Sequence, residues 1–273
     1  MLDGVVATAA FETFPQGARF TMQWAPAGRA PVRTLLLLPP FGEEMNKSRR
    51  TLAWSARSFA RHGWAVLALD LGGTGDSAGD FGDATWAGWL EDVGCALDLM
   101  KRRFGTQPTL WGVRGGSLLA AAVDGEAHDV LLWQPVINGD AYLTQLLRLR
   151  VANDAFAGRE GTTTKQLRAQ LEAGETLEVA GYDLNPELVL PLGRTSLAAW
   201  QPGDRRIAWL ETGAETDGQP SPAGRRVVDD WAARGTPADL RWVRGEPFWL
   251  TQDISENTTL AQASIELLDA VTA

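Results

Sequence analysis

The feature that most limits how this chain can fold is an alternation of short, wholly apolar runs with stretches of helical spacing. Arg33–Pro39 (R-T-L-L-L-L-P) closes on Pro39-Pro40, and Trp64–Leu71 (W-A-V-L-A-L-D-L) closes on Gly72-Gly73-Thr74-Gly75. A strand with one wet face alternates apolar and polar residues, so runs like these read as strands buried on both faces. Between them, Asn46–His62 carries Leu52, Ala56, Phe59 and Ala60 at three-to-four spacing and stops at Gly63. Trp86–Phe104 reads as a helix with Leu90, Val93, Leu97 and Met100 on one face. Lys101-Arg102-Arg103 fall in its last turn, where cations suit the helix dipole.

The rhythm continues with strands at Thr109–Trp111, Val130–Trp133, Ile207–Leu210 and Leu240–Val243, and helices at Ser117–Val123, Gly224–Arg234 and Ser255–Val271. Short connections between such elements predict an α/β fold: a mostly parallel, doubly wound sheet with right-handed crossovers. Ligands in such sheets bind at the carboxyl ends of the strands. Residues 139–200 break the rhythm with an amphipathic Asp140–Val151, a helical Thr163–Ala173 and the Pro-punctuated Asn185–Pro191. They are expected to form a helical cap inserted in the core, which divides the chain into 1–138, 139–200 and 201–273.

Composition removes several functions. Lys+Arg 25 against Asp+Glu 34 leaves a net charge of −9, so an extended phosphate backbone is repelled and no nucleic-acid partner is expected. No apolar run approaches the roughly 20 residues of a membrane helix. Met1-Leu2-Asp3-Gly4 shows no basic segment ahead of an apolar one, so no secretory leader is expected. The single cysteine, Cys95, fits a reducing compartment and a cytoplasmic location. Two histidines, His62 and His128, leave little for a metal site, and neither a metal nor another cofactor is expected.

Thr109 to Ala120 (T-L-W-G-V-R-G-G-S-L-L-A) spells a strand, a tight glycine turn and a helix. That is the shape of the nucleophile elbow, G-x-S-x-G, in which a strained turn lifts a nucleophile above the sheet. Its five positions are Gly112-Val113-Arg114-Gly115-Gly116, so an arginine stands where the serine belongs. Here the chain resembles the α/β-hydrolase superfamily. The pieces are L-L-L-L-P-P-F-G before the first long helix, Ala65 to Ser77 (A-V-L-A-L-D-L-G-G-T-G-D-S), and the elbow. More narrowly, Pro39 to Arg50 (P-P-F-G-E-E-M-N-K-S-R-R), Gly75 to Phe81, Leu131 to Val136 and Gly245 to Trp249 resemble the second hydrolase-like protein associated with exosortase A systems. Those systems accompany PEP-CTERM protein sorting and exopolysaccharide clusters. The resemblance implies a hydrolase fold and that cellular context; it implies no substrate.

Carried over position by position, the resemblance puts Arg114 at the nucleophile and the acid after Ile207–Leu210, at Glu211, Glu215 or Asp217. The base falls in Arg244-Gly245-Glu246-Pro247-Phe248-Trp249, which contains no histidine. A serine hydroxyl needs an adjacent base to attack at neutral pH, so the ordinary acyl-enzyme route is not expected. What remains is a cation at a helix N-terminus, where backbone N–H groups favour an anion. Arg114, Glu246 and Asp217 are the candidate catalytic groups: a carboxylate would activate water while Arg114 steadies an oxyanion. Phe41, Gly42, Glu43 and Glu44, in the loop where such folds form an oxyanion hole, together with Gly115, are the candidate ligand-binding residues. The ligand class this implies is an anionic acyl or glycosyl molecule, with a protein partner at the cap as the alternative. A buried arginine needs a partner in any case, and Glu246, Glu43 and Asp217 are the candidates.

Other residues carry blander readings. Ser117 reads as helix capping or packing, Cys95 as a small core residue, and Asp70 and Asp76 as braces of the glycine turn. Asn46 is expected to cap the first helix, with Lys47, Arg49 and Arg50 as a phosphate- or sugar-acid-binding alternative. Among the 12 tryptophans, Trp86, Trp89, Trp200 and Trp249 are placed at the cleft rim or cap.

Overall fold

A computed structural model describes residues 4–123, 129–158, 161–215, 218–251 and 257–269. The strands are β1 (Val5–Phe14), β2 (Gly17–Pro26), β3 (Arg33–Leu38), β4 (Trp64–Leu69), β5 (Thr109–Val113) and β6 (Val130–Trp133), then a small pair, β7 (Leu177–Val179) and β8 (Tyr182–Leu184), and finally β9 (Ile207–Gly213) and β10 (Ala238–Arg244). The helices are α1 (Gly42–Arg61), α2 (Trp86–Phe104), α3 (Gly116–Ala122), α4 (Gly139–Phe156), α5 (Thr164–Glu172), α6 (Pro186–Arg194), α7 (Pro222–Ala233) and α8 (Thr259–Asp269).

Eight strands form one sheet in the order β1-β2-β4-β3-β5-β6-β9-β10. From β4 to β10 every pairing is parallel, while β1 and β2 add an antiparallel edge. The runs read as doubly buried strands are just that. Leu35 and Leu37 of β3 face one core with Trp111 and Trp133, whereas Leu36 and Leu38 face another with Leu110 and Leu132. α1 and α8 cover the first core, and α2, α3 and α7 cover the second. α2 keeps the bounds expected of it, because Thr85 caps Gly88 N–H at 3.0 Å and Gly105 ends it at φ 70°.

Three departures have local causes. No element is expected before Arg33, yet the β1–β2 hairpin occupies residues 5–26. β1 hides the usual signal because most of its residues are exposed on both faces, so no period-two pattern is written in it. α1 begins at Gly42 with Phe41 at its N-cap position, so Asn46 is not the cap. Asn46 lies inside the helix and donates to the Tyr182 hydroxyl at 2.9 Å. Between β6 and β9 lie the helices α4, α5 and α6 and the small β7–β8 pair, which no pattern in the sequence announces. The excursion leaves and rejoins the core at one place: Asn138 bridges Ser196, and Gly139 N–H bonds Thr195 O at 2.9 Å. Of the expected final helix, Ser255 and Val271 lie outside the described residues.

The edge hairpin is tied in by a buried charge pair. Arg19 on β2 is 2 % exposed and donates through Nε to Asp92 Oδ2 on α2 at 2.8 Å. The same oxygen accepts Gly72 N–H at 2.8 Å, and the Trp89 indole donates to Gly72 O at 2.9 Å. One carboxylate thus joins β2, α2 and the glycine turn after β4. Asp92→Ala strands the Arg19 guanidinium without its counter-ion, and a loss of about 3–5 kcal/mol is expected in denaturant unfolding. A loss under 1 kcal/mol would show that the pair does not hold the hairpin.

Candidate functional site

The turn between β5 and α3 has the strained form that an elbow requires. Arg114 sits at φ 51°, in the left-handed region that a side chain rarely adopts. The glycines around it are sterically required. A Cβ on Gly116 would lie 2.1 Å from Leu38 O, one on Gly112 2.8 Å from Ser117 Cα, and one on Gly115 2.6 Å from the Phe41 ring. Ser117 is fully buried and turns back into the elbow, donating to Arg114 O at 2.6 Å and to Val136 O at 3.2 Å. It packs, as expected, and presents no hydroxyl.

The Arg114 guanidinium is engaged on every side. Nε and Nη2 donate to Glu44 Oε1 at 3.2 and 3.0 Å, and Nη1 donates to Gln134 O at 3.1 Å. The Trp249 ring lies under its plane, with Cζ 5.1 Å from the ring centroid. Tyr142, from the first turn of α4, donates to the other Glu44 oxygen at 3.3 Å. Burial pushes the Tyr142 phenol well above its usual pKa, and the Glu44 charge adds to this while Arg114 opposes it. The phenol therefore stays protonated and able to donate. Arg114 and Glu44 side chains are 16 % and 19 % exposed, so the pair is partly open to solvent.

Glu44, expected among the ligand-binding residues, is the carboxylate that pairs with Arg114 among the described residues. Glu246 does not join them. It is exposed, its carbonyl accepts Phe248 N–H at 2.8 Å, and its carboxylate makes no hydrogen bond or ion pair among the described residues. Glu246 instead lines a 260 Å³ cleft with Ala214, Arg244 and Asn257. Glu43 is exposed beside Tyr182, and Gly42, at φ 53°, packs under the Tyr182 ring. Asp217 lies outside the described residues. Glu211, at the end of the strand that carries the acid in such folds, is 4 % exposed and already spent: it accepts the Ser221 hydroxyl at 2.9 Å and the Trp209 indole at 3.2 Å. Asp70 braces the glycine turn as expected, accepting Asp76 N–H at 3.1 Å.

The histidines stand away from the elbow. His62 ends α1 at the opposite end of the sheet, next to the start of β4, and His128 lies outside the described residues. Among the described residues no three His, Cys, Asp or Glu side chains are grouped to hold a metal ion. Trp86 and Trp89, placed at the rim from sequence, are core residues at 7 % and 1 % exposure, because the Phe41 and Phe81 rings cover Trp89 at 4.8 and 6.1 Å. Gln134 and Tyr142 went unrecognised in the sequence. Gln134 holds φ 41° and uses Oε1 to accept Thr212 N–H at 2.8 Å, which fixes the carbonyl offered to Arg114. Its sequence traces are its place directly after the β6 strand, ahead of Pro135, and its membership of the Leu131 to Val136 block.

No family model matches the chain, and no curated protein matches it. Solved structures do. Est1E from Butyrivibrio proteoclasticus, solved with ferulic acid bound, is 14 % identical with a TM-score of 0.63, covering 100 % of this chain and 98 % of that one. A highly thermostable carboxyl esterase from Bacillus coagulans, in complex with glycerol, is 14 % identical with a TM-score of 0.63, covering 98 % and 99 %. The α/β hydrolase GrgF from Penicillium sp. sh18 is 17 % identical with a TM-score of 0.58, covering 97 % of each chain. With its sheet order, its strained elbow and these likenesses, the chain has the α/β-hydrolase fold.

Proposed function

We propose that this chain is a hydrolase-fold protein with a degenerate triad, which binds an anionic acyl or glycosyl ligand at Arg114 instead of cleaving an ester. The observation that carries this reading is the guanidinium at the elbow's apex with a carboxylate already on its fork. Nε and Nη2 of Arg114 converge on one Glu44 oxygen, on the guanidinium edge that recognises carboxylates, so Glu44 fills the place that a ligand's carboxylate would take. Glu44 stands on the first turn of α1, next to solvent, so a ligand can displace it without unfolding an element. Residues 139–200 act as the cap over this site, with Tyr142 as their contact to it. The resemblance of Pro39 to Arg50 to the exosortase-associated branch supports a role beside exopolysaccharide or protein-sorting machinery, and the single cysteine supports a cytoplasmic location.

A second reading is a scaffold that meets a partner protein through the cap. Leu149 and Phe156, seven residues apart on α4, favour it, at 51 % and 93 % exposure. A hydrolase that uses a free carboxylate and Arg114 is the third reading.

Reactivity and binding separate the three. Fluorophosphonate labelling, read as intact mass, is expected to give no adduct, and p-nitrophenyl acetate no turnover above the solution rate. A stoichiometric adduct or saturable turnover would overturn the non-hydrolytic reading. Calorimetric titration with hexanoate or glucuronate is expected to show about tenfold tighter binding to Glu44→Gln than to the wild type, since the variant leaves the guanidinium unpaired. Arg114→Met is expected to bind neither. Equal heats in all three proteins would remove the anion site and leave the scaffold.

A further inference from the structure

A second cavity is lined by none of the residues that meet Arg114. It measures about 220 Å³ and lies between α1 and the sheet formed by β2, β4 and β3. Its origin can be read strand by strand. Met22, Ala68 and Leu37 form one row across β2, β4 and β3, and Trp24, Val66 and Leu35 form the next. The first row has its smallest member in the middle. Opposite it, α1 presents Met45, Arg49, Leu52 and Ala53, spaced so that all four share one face. Two alanines where the neighbouring positions carry large side chains leave the helix standing off the sheet, and the space between is lined by apolar atoms.

The mouth is polar on one side. Arg49 is 44 % exposed and gives Nη2 to Asp70 Oδ2 at 3.3 Å, while its Nε and Nη1 make no hydrogen bond among the described residues. Asp70 is 10 % exposed in its side chain and lines the same cavity. A ligand head at this mouth thus meets free donors beside a carboxylate. An acceptor oxygen without charge suits both, because a second anion would repel Asp70 and a cation would repel Arg49.

We propose that this cavity is a binding site for a small uncharged molecule with an apolar, ring-sized body and one acceptor oxygen, such as an aryl ketone or ester. An engineered apolar cavity of about 150 Å³ is known to hold benzene, so the volume suffices for a ring with a short substituent. Met22 and Met45, on opposite walls, adapt their shape to such a guest. The proposal is independent of what Arg114 binds, since the two sites share no lining residue.

The test uses the full chain with ¹³C-methyl methionine, titrated with acetophenone, ethylbenzene and benzoate. The chain has 4 methionines; Met22 and Met45 line the cavity, while Met100 is buried in the core on the other face of the sheet. Acetophenone is expected to shift the Met22 and Met45 methyls saturably and to leave Met100 in place. It is expected to bind about threefold to tenfold tighter than ethylbenzene, and Arg49→Met is expected to erase that difference. Benzoate is expected to bind more weakly than acetophenone. Ala68→Leu fills the cavity from the sheet and Ala53→Leu fills it from the partly exposed helix face, so one folded variant suffices to show the shifts abolished. The site is overturned if Met22 and Met45 do not respond, if Met100 responds equally, or if a folded, filled variant binds as the wild type does. Equal affinity for acetophenone and ethylbenzene would overturn the role of Arg49, and tighter binding of benzoate would overturn the uncharged ligand.

Discussion

A guanidinium held between the end of β5 and the start of α4 cannot be left without a counter-charge, and side chains and backbone from several parts of the chain meet that need. Desolvating a cation costs several kcal/mol unless a carboxylate and further hydrogen bonds compensate. Glu44 supplies the carboxylate, Gln134 a carbonyl and Trp249 an aromatic face. Because Glu44 is on α1, Gln134 follows β6, Trp249 follows β10 and Tyr142 is on α4, a single charge draws four separate parts of the chain to one point. At the apex of the elbow a cation, a carboxylate, a backbone carbonyl and an aromatic face therefore meet.

The same principle operates at the sheet's edge. Arg19 and Asp92 are among the most deeply buried charges in the molecule and join β2 to α2. The two pairs differ in what surrounds them. Asp92 is also bonded to the Gly72 N–H and is 1 % exposed, whereas Glu44 has solvent on one side. A sealed pair serves the architecture, and a pair open to water can exchange partners.

The strands of the central sheet were legible because burial on both faces writes an unbroken apolar run, and the long helices because their caps and spacing agree. The elbow was legible through its glycines, and the sequence offers Arg114 and Glu44 as candidate site residues. Their pairing was not, since nothing in a linear chain distinguishes Glu44 from Glu43: the difference is a rotation of one residue on the first turn of α1, which turns one carboxylate inward and the other to solvent. Tyr142 and Gln134 escaped for a similar reason, because their roles depend on where the cap and the β6 turn land. The edge hairpin escaped because its outer strand touches too little to be patterned.

The glycines of the elbow have a wider meaning. Gly116 lies so close to Leu38 that any side chain would strike a backbone oxygen, and Gly112 is pressed in the same way against Ser117. These contacts belong to the docking of α3 onto β3 and β5, and they would be needed whatever residue stood at the apex. A glycine signature of this kind therefore reports clearance between a helix and a strand. It marks where a side chain is held up above the sheet, and the pedestal is the same whichever side chain stands on it.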